Sequence, residues 1–325
     1  MNPSVPSPLP IPAHLSETAR QFLAQPPMQA PTLPQRDDTD GWLRLVEQTD
    51  GYIRSWLRDR ALPFPVAVQD TQVAGVHTYV LRAESDPATD EGPIYLDIHG
   101  GALLYGGGDL CAHAAGDAAR STGMTTWSVD YRMPPRHPFP AALDDCLAVY
   151  RALLAVYRAL LKVCDPADVF VGGASAGGNL AAALLVRAKD EGLPMPAALV
   201  LWTPEVDLTE SGDSFHTNAG IDNVLSSLRE VNELYANGHD LSHPYLSPLF
   251  ADLSGFPPTF LQSGTRDLFL SNTVRMHRKL LSAGVEAELH VFEAMPHGGF
   301  GGASPEDTEV AAAVRLFLDR HDRRH

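Results

Sequence analysis

Four short stretches of this 325-residue chain carry residue types suited to acyl transfer. Gly173-Ala174-Ser175-Ala176-Gly177 follows an apolar run, DVFVG, and opens a helical one, AGGNLAAALLVRAK. Small residues allow a sharp turn between the two. Such a turn lifts the Ser175 hydroxyl clear of a sheet and sets the Ala176 amide and a helix N-terminus beside it. His99-Gly100-Gly101-Ala102 follows a second apolar run, IYLDI. Glycines there permit a loop that points consecutive amides at one spot, so Gly101, Ala102 and Ala176 are the expected oxyanion donors. Gly100 and His99 support that loop, His99 as a brace rather than a proton carrier. Asp267 comes just after TFLQSG, and His297, within MPHGGF, just after AELHVF. A hydroxyl is a weak nucleophile until a base takes its proton and a third group orients the base; Ser175, His297 and Asp267 fit those three roles.

Residues so far apart in sequence need a scaffold that gathers them. From Val66 onward, short β-rich runs alternate with helical stretches: 76–81, 93–99, 125–131, 168–173, 197–202, 259–264 and 286–292. Most are continuously apolar, as expected of strands covered on both faces in a largely parallel sheet. Helices fit between them at Pro140 to Lys162, Ala176 to Asp190, Ser271 to Ala283 and Pro305 to Arg320, the last behind a Ser304-x-x-Asp307 cap. The prediction is α/β, a mostly parallel doubly wound sheet with helices on both faces. Each candidate residue then follows the carboxyl end of a strand, where one sheet edge can assemble all of them. Before the sheet, residues 1–12 carry five prolines and the stretch through Pro34 stays proline-rich, which predicts an extended or partly ordered arm. Between Thr39 and Ala61 a stripe of Trp42, Leu45, Val46, Ile53, Trp56 and Leu57 predicts a helix lying on something apolar. Residues from Glu205 to about Ser242 break the alternation with a polar loop and one helix, an insertion placed to roof a ligand crevice.

Composition narrows the function classes. Lys and Arg number 24 against 40 Asp and Glu, a net charge of −16, with no concentrated basic patch, so nucleic acid is not an expected partner. Three cysteines in no ligand-like spacing argue against a disulfide scaffold or a structural zinc, and a reducing, cytoplasmic location fits. No apolar stretch is long enough for membrane insertion. His239 and His243 are four apart but lack the glutamate of a zinc helix and run into Pro244, and Gly106-Gly107-Gly108 meets Cys111 where a dinucleotide loop needs glycine. Neither a metal nor an organic cofactor is expected. An identical tandem copy, LAVYRAL at 147–153 and 154–160, keeps a helix's apolar face in phase because seven residues fall only about 20° short of two turns. It is read as a tolerated duplication rather than a changed subunit contact.

Taken together, the motifs resemble the bacterial hormone-sensitive-lipase-type family of α/β-hydrolases over nearly all of residues 66–320. The chain order Ser, Asp, His is that of the fold. Besides HGGA, GASAGG and HGGF, Asp130-Tyr131-Arg132 leading into HPFPAALDD and LWTPEVDLT at 201–209 are family landmarks. Met133-Pro134-Pro135 and SGTRDLFLSNTVRMHRKL are similar to the subgroup that includes monoterpene lactone hydrolases. The resemblance implies an α/β-hydrolase core at 66–204 and 246–325 under a helical cap built from 1–65 and 205–245. It implies a serine carboxylesterase for short- to medium-chain acyl esters and a possible homodimer. A lactone hydrolase on the same triad and a non-catalytic small-molecule receptor are the alternatives. Two positions depart from the family wording: Ala102 ends the HGG loop, and Ala174 stands where GDSAG has Asp. Both are compatible with catalysis.

Overall fold

The computed structural model describes residues 9–57, 66–83, 92–161 and 168–323. Residues 1–8 of the expected arm, 58–61 of the first predicted helix, and Lys162 and Cys164 lie outside them. The described residues contain eight strands: β1 (Val66–Val73), β2 (Val76–Ala83), β3 (Ile94–Ile98), β4 (Thr125–Val129), β5 (Val169–Ala174), β6 (Ala198–Trp202), β7 (Thr259–Gly264) and β8 (Ala287–Phe292). They form one sheet in the order β1-β2-β4-β3-β5-β6-β7-β8. The pairings β1 with β2 and β2 with β4 are antiparallel, and the others are parallel.

Continuous apolar runs are resolved here into two buried faces. Leu96 and Ile98 of β3, Val169 and Val171 of β5, Leu199 and Leu201 of β6 and Leu261 of β7 point to one core. That core is closed by α4 (Ala141–Leu161), α5 (Ala176–Asp190) and α8 (Leu270–Ser282). The alternate residues Tyr95, Phe170, Val200 and Phe260 point the other way, onto Val314, Phe317 and Leu318 of α9 (Pro305–His321), with α3 (Asp109–Thr122) beside it. The α9 N-terminus carries the predicted capping box, Ser304 and Asp307 each bonding the other's backbone amide.

The elements not anticipated include α1 (Glu17–Leu23), a helix inside the expected extended arm, where Ser16 caps ETARQFL between the proline-rich stretches, and also β1 and α3. β1 lies at the sheet edge with Ala67, Val68, Gln69 and Asp70 all exposed, and a two-residue turn at Ala74-Gly75, both at positive φ, returns it into β2. In α3 the small residues of AHAAGDAA dilute the apolar period. Its ends were nonetheless marked, by Asp109 in the first turn and by Gly123 in the left-handed conformation as its stop.

Outside the sheet, Ala19 of α1 and Leu15 just before its cap pack on Met295, Phe300 and Val310, and Ser16 is bound to Glu306. Only the first half of α2 (Thr39–Leu57) fulfils its predicted stripe: Trp42 and Leu45 are buried, whereas Trp56 is 47% exposed and Arg54 reaches Asp109 nearby. The 205–242 insertion forms two short helices rather than one, α6 (Ser214–Thr217) and α7 (Arg229–Ala236). Of the tandem LAVYRAL, the first copy buries Leu147, Val149, Tyr150 and Leu153. The second continues the same helix, and its side chains from 156 onward lie outside the described residues.

Candidate active site

Ser175 occupies the turn between β5 and α5 with φ of 57°, a conformation that costs a non-glycine residue energy and persists only where the surroundings enforce it. Here its amide donates to the Trp202 carbonyl at 2.9 Å, and α5 begins at the next residue. Gly177 makes that turn sterically possible, since a Cβ there would strike the carbonyl of Ile98.

The loops after β7 and β8 bring the other two side chains to this point. Nε2 of His297 lies 2.9 Å from the Ser175 hydroxyl, and its Nδ1 lies 3.1 Å from Oδ1 of Asp267. Asp267 is fully buried; its Oδ2 accepts from the Ser263 hydroxyl at 2.6 Å and its Oδ1 from the Phe269 amide at 2.9 Å. Phe269 also stands edge-on to the His297 ring at 4.8 Å, fixing the ring plane. Burial alone would lower the His297 pKa, but the hydrogen bond and charge of Asp267, joined by Asp222, raise it above its ordinary value.

The HGGA loop turns through positive φ at Gly101, Ala102 and Leu103, and is closed by the amides of Leu104 and Tyr105 donating to the Gly101 carbonyl. As a result, the amides of Gly101, Ala102 and Ala176 have no acceptor among the described residues. These free donors sit beside a strand-to-helix turn, as an oxyanion site requires. His99 stacks on Tyr131 at 4.2 Å, its Nδ1 sits 2.7 Å from the Gly100 carbonyl, and the Tyr131 hydroxyl donates to the His99 carbonyl.

Three insertion residues that the sequence had not marked reach the same centre. One oxygen of Asp222 accepts the amides of His297 and Leu268, and the other accepts those of Val224 and Leu225. Asn218 donates to the carbonyls of Asp267 and Thr265. Glu205 is fully buried: its amide donates to the Ser175 carbonyl, and its Oε1 accepts from Asn232 of α7. Burial pushes the Glu205 carboxyl up to about 8. Their signal in the sequence was slight, because polar residues in a polar loop read as solvated. Glu205 at least stands inside the LWTPEVDLT landmark.

Metal and cofactor chemistry finds poor footing among the described residues. His239 and His243 pack around Phe139, and the Gly108 amide points at Asp130 rather than into a phosphate-sized opening. His99, Cys111 and Asp130 bring three potential ligand atoms within 4.8 Å of one another. However, Asp130 is already held by His77 and the Gly108 amide, and burial pushes the Cys111 thiol well above its ordinary pKa, opposing the thiolate a metal would need. No described helix is long and apolar enough to cross a membrane.

Known proteins share this fold. Residues 95–300 match the family described as alpha/beta hydrolase fold. An esterase of Acinetobacter venetianus is 33% identical over 264 residues, 79% of this chain and 83% of that protein. The crystal structure of an esterase called E25 superposes with a TM-score of 0.87 at 35% identity, covering 97% of both chains. That of an esterase from the bacterial hormone-sensitive lipase family superposes with a TM-score of 0.75 at 31% identity, covering 94% of this chain and 96% of the other. With its fold, its sheet-edge site and these likenesses in agreement, the chain belongs to the α/β-hydrolases, in the hormone-sensitive-lipase-like group of esterases.

Proposed function

We propose that this carboxylic ester hydrolase works through a serine acyl-enzyme, with Ser175 as nucleophile. The observation that carries the reading is the continuous hydrogen-bonded line from the Ser175 hydroxyl through the His297 ring to the buried Asp267 carboxylate. Ser175 Oγ attacks the ester carbonyl carbon as His297 Nε2 takes its proton. Asp267 holds the ring with Nδ1 protonated and stabilises the imidazolium. Charge developing on the carbonyl oxygen is met by the amides of Gly101, Ala102 and Ala176, each such donor being worth about 3 kcal/mol in the transition state. The C–O bond to the leaving group breaks, and the imidazolium returns its proton to the departing alcohol. Water, deprotonated by the same ring, then attacks the acyl-enzyme and regenerates the Ser175 hydroxyl with release of the acid.

Short to medium acyl chains are the proposed substrates. Trp42 and Leu45 of α2, with Val231 and Leu234 of α7, pack against Ala102 and Leu104 of the oxyanion loop. This supports reading the N-terminal segment and the insertion as a cap that confines the acyl group. A series of p-nitrophenyl esters from acetate to palmitate tests the proposal. Turnover that falls off beyond about eight acyl carbons is expected; activity confined to long chains, or none on any ester, would refute it.

A further inference from the structure

A cavity of about 280 Å³ lies in the gap between α3 and α9, and none of the residues clustered between α2 and α7 is part of its lining. Ser175 and His297 are not part of its lining, but the segments that hold them are. Its walls include His99 and Gly100 of the oxyanion loop, Ala174 at the end of β5, and Met295, Gly298 and Gly299 flanking His297. Ala174 is the one residue of β5 that is exposed, its methyl group leaving room where a larger side chain would fill the space. Only a backbone layer separates this space from the nucleophile: a Cβ on Gly100 would meet the Ala174 carbonyl at 2.9 Å and the Ser175 Cβ at 3.4 Å.

Three wall residues have unfinished chemistry among the described residues: Asp97; His99, whose Nε2 has no partner; and Arg120, whose Nε has none. Asp97 is only 6% exposed; its Oδ2 accepts from the Ser128 hydroxyl at 2.8 Å, and no donor meets its Oδ1 among the described residues. Buried carboxylates are ordinarily paired, because an uncompensated charge in a poorly solvated site is costly. The other charged groups of the wall do not pair with it. Arg120 is turned to Asp117 at 3.4 Å through its terminal nitrogen, leaving its Nε without a partner, and Asp307 is engaged by the amides of Phe300 and Ser304. Three carboxylates thus face one guanidinium across the lining, and burial keeps His99 toward its neutral form. The rest of the wall is apolar, with Trp202, Ala118, Val310 and Ala311.

We propose that this cavity is a second ligand site, taking a small organic ammonium compound with its charged head on the Asp97 carboxylate and its short apolar body between α3 and α9. The volume, at the lower end of ligand pockets, limits the occupant to a few carbons. Burial pushes the Asp97 carboxyl up to about 6, so above that pH it is ionised and seeks a cationic donor. Such an occupant would rest on the back of both the oxyanion loop and the His297 loop.

Isothermal titration calorimetry at pH 7.5 with n-butylammonium chloride tests this, against sodium chloride of equal ionic strength. The expected result is saturable binding in the millimolar range. Asp97→Asn should weaken it about tenfold or more, as loss of a charge-assisted hydrogen bond does. Ala311→Leu, a cavity-filling change on the part-exposed surface of α9, should abolish it, and serves alone if Asp97→Asn fails to fold. n-Butanol and butyrate, with similar bodies but neutral and anionic heads, should bind at least about tenfold more weakly. Absence of saturable binding, an affinity unchanged by the variants, or equal binding of butanol or of butyrate at Arg120 would overturn the proposal. Binding is read without turnover, so the result stands apart from the ester chemistry.

Discussion

The Asp222 carboxylate accepts the backbone amide of His297 at 3.2 Å, and through the same oxygen that of Leu268, the neighbour of Asp267, at 2.9 Å. One insertion side chain therefore ties together the two loops that carry the proposed base and its orienting acid. Asp222→Ala should release both loops and lower kcat about a hundredfold while KM changes little, because misplacement of about 1 Å is enough for a loss of that size. Steady-state kinetics beside a thermal melt separate this from unfolding; unchanged kcat in a folded variant would show that the tie is dispensable.

Acid should switch the enzyme off through His297. Its pKa is raised chiefly by the hydrogen bond and charge of Asp267, with Asp222, against the opposing effect of burial, and only the neutral ring can take the Ser175 proton. The acid limb of kcat/KM is therefore expected to have its midpoint above the ordinary histidine value of about 6.5. Asp267→Asn should move that midpoint down and cut kcat by about 10⁴. A pH–rate profile with a wild-type midpoint below 6.5 would contradict this.

Glu205 should make stability depend on pH. The folded protein holds its proton up to about 8, whereas in the unfolded chain it ionises near 4.5. Between those values the folded state binds more protons, so this group's contribution is fully present below 4.5 and is lost as pH rises toward 8. Glu205→Gln removes that loss, and the Asn232 carbonyl oxygen, which has no partner, can accept from the new amide. The variant's Tm relative to wild type should rise between pH 5 and pH 9, by at least about 2 °C. A difference that stays constant across calorimetric scans would count against the burial argument.

Gly101→Ala probes the oxyanion loop. Gly101 has φ of 122°, and a Cβ there would collide with the Tyr105 carbonyl, whose amide closes the loop. Displacing the loop should cost about 10² to 10³ in kcat on p-nitrophenyl acetate. Near wild-type turnover would mean that the Gly101 and Ala102 amides are not the donors.

The strands and the four marked stretches were legible in the sequence for a physical reason. Parallel strands buried on both faces must be apolar, and the turn at Ser175 and the HGGA loop must be small, so both leave compositional traces at fixed places. β1 and α3 escaped because an edge strand alternates weakly and a helix rich in alanine and glycine has little apolar period. Asp222, Asn218 and Glu205 escaped for a different reason. Their work is done on backbone groups distant in the chain, and nothing in a polar loop reveals which of its carboxylates will be buried. Conversely Trp56 fitted the apolar stripe yet remains largely exposed, since periodicity tells which face is apolar and not how far the partner surface extends.

Covalent labelling measures the central claim most directly. Treated with a fluorophosphonate, the folded protein should gain one adduct by intact mass, mapped by peptide sequencing to Ser175, absent in Ser175→Ala and formed far more slowly in His297→Ala. An unlabelled native protein, or an adduct on another residue that persists in Ser175→Ala, would contradict the account.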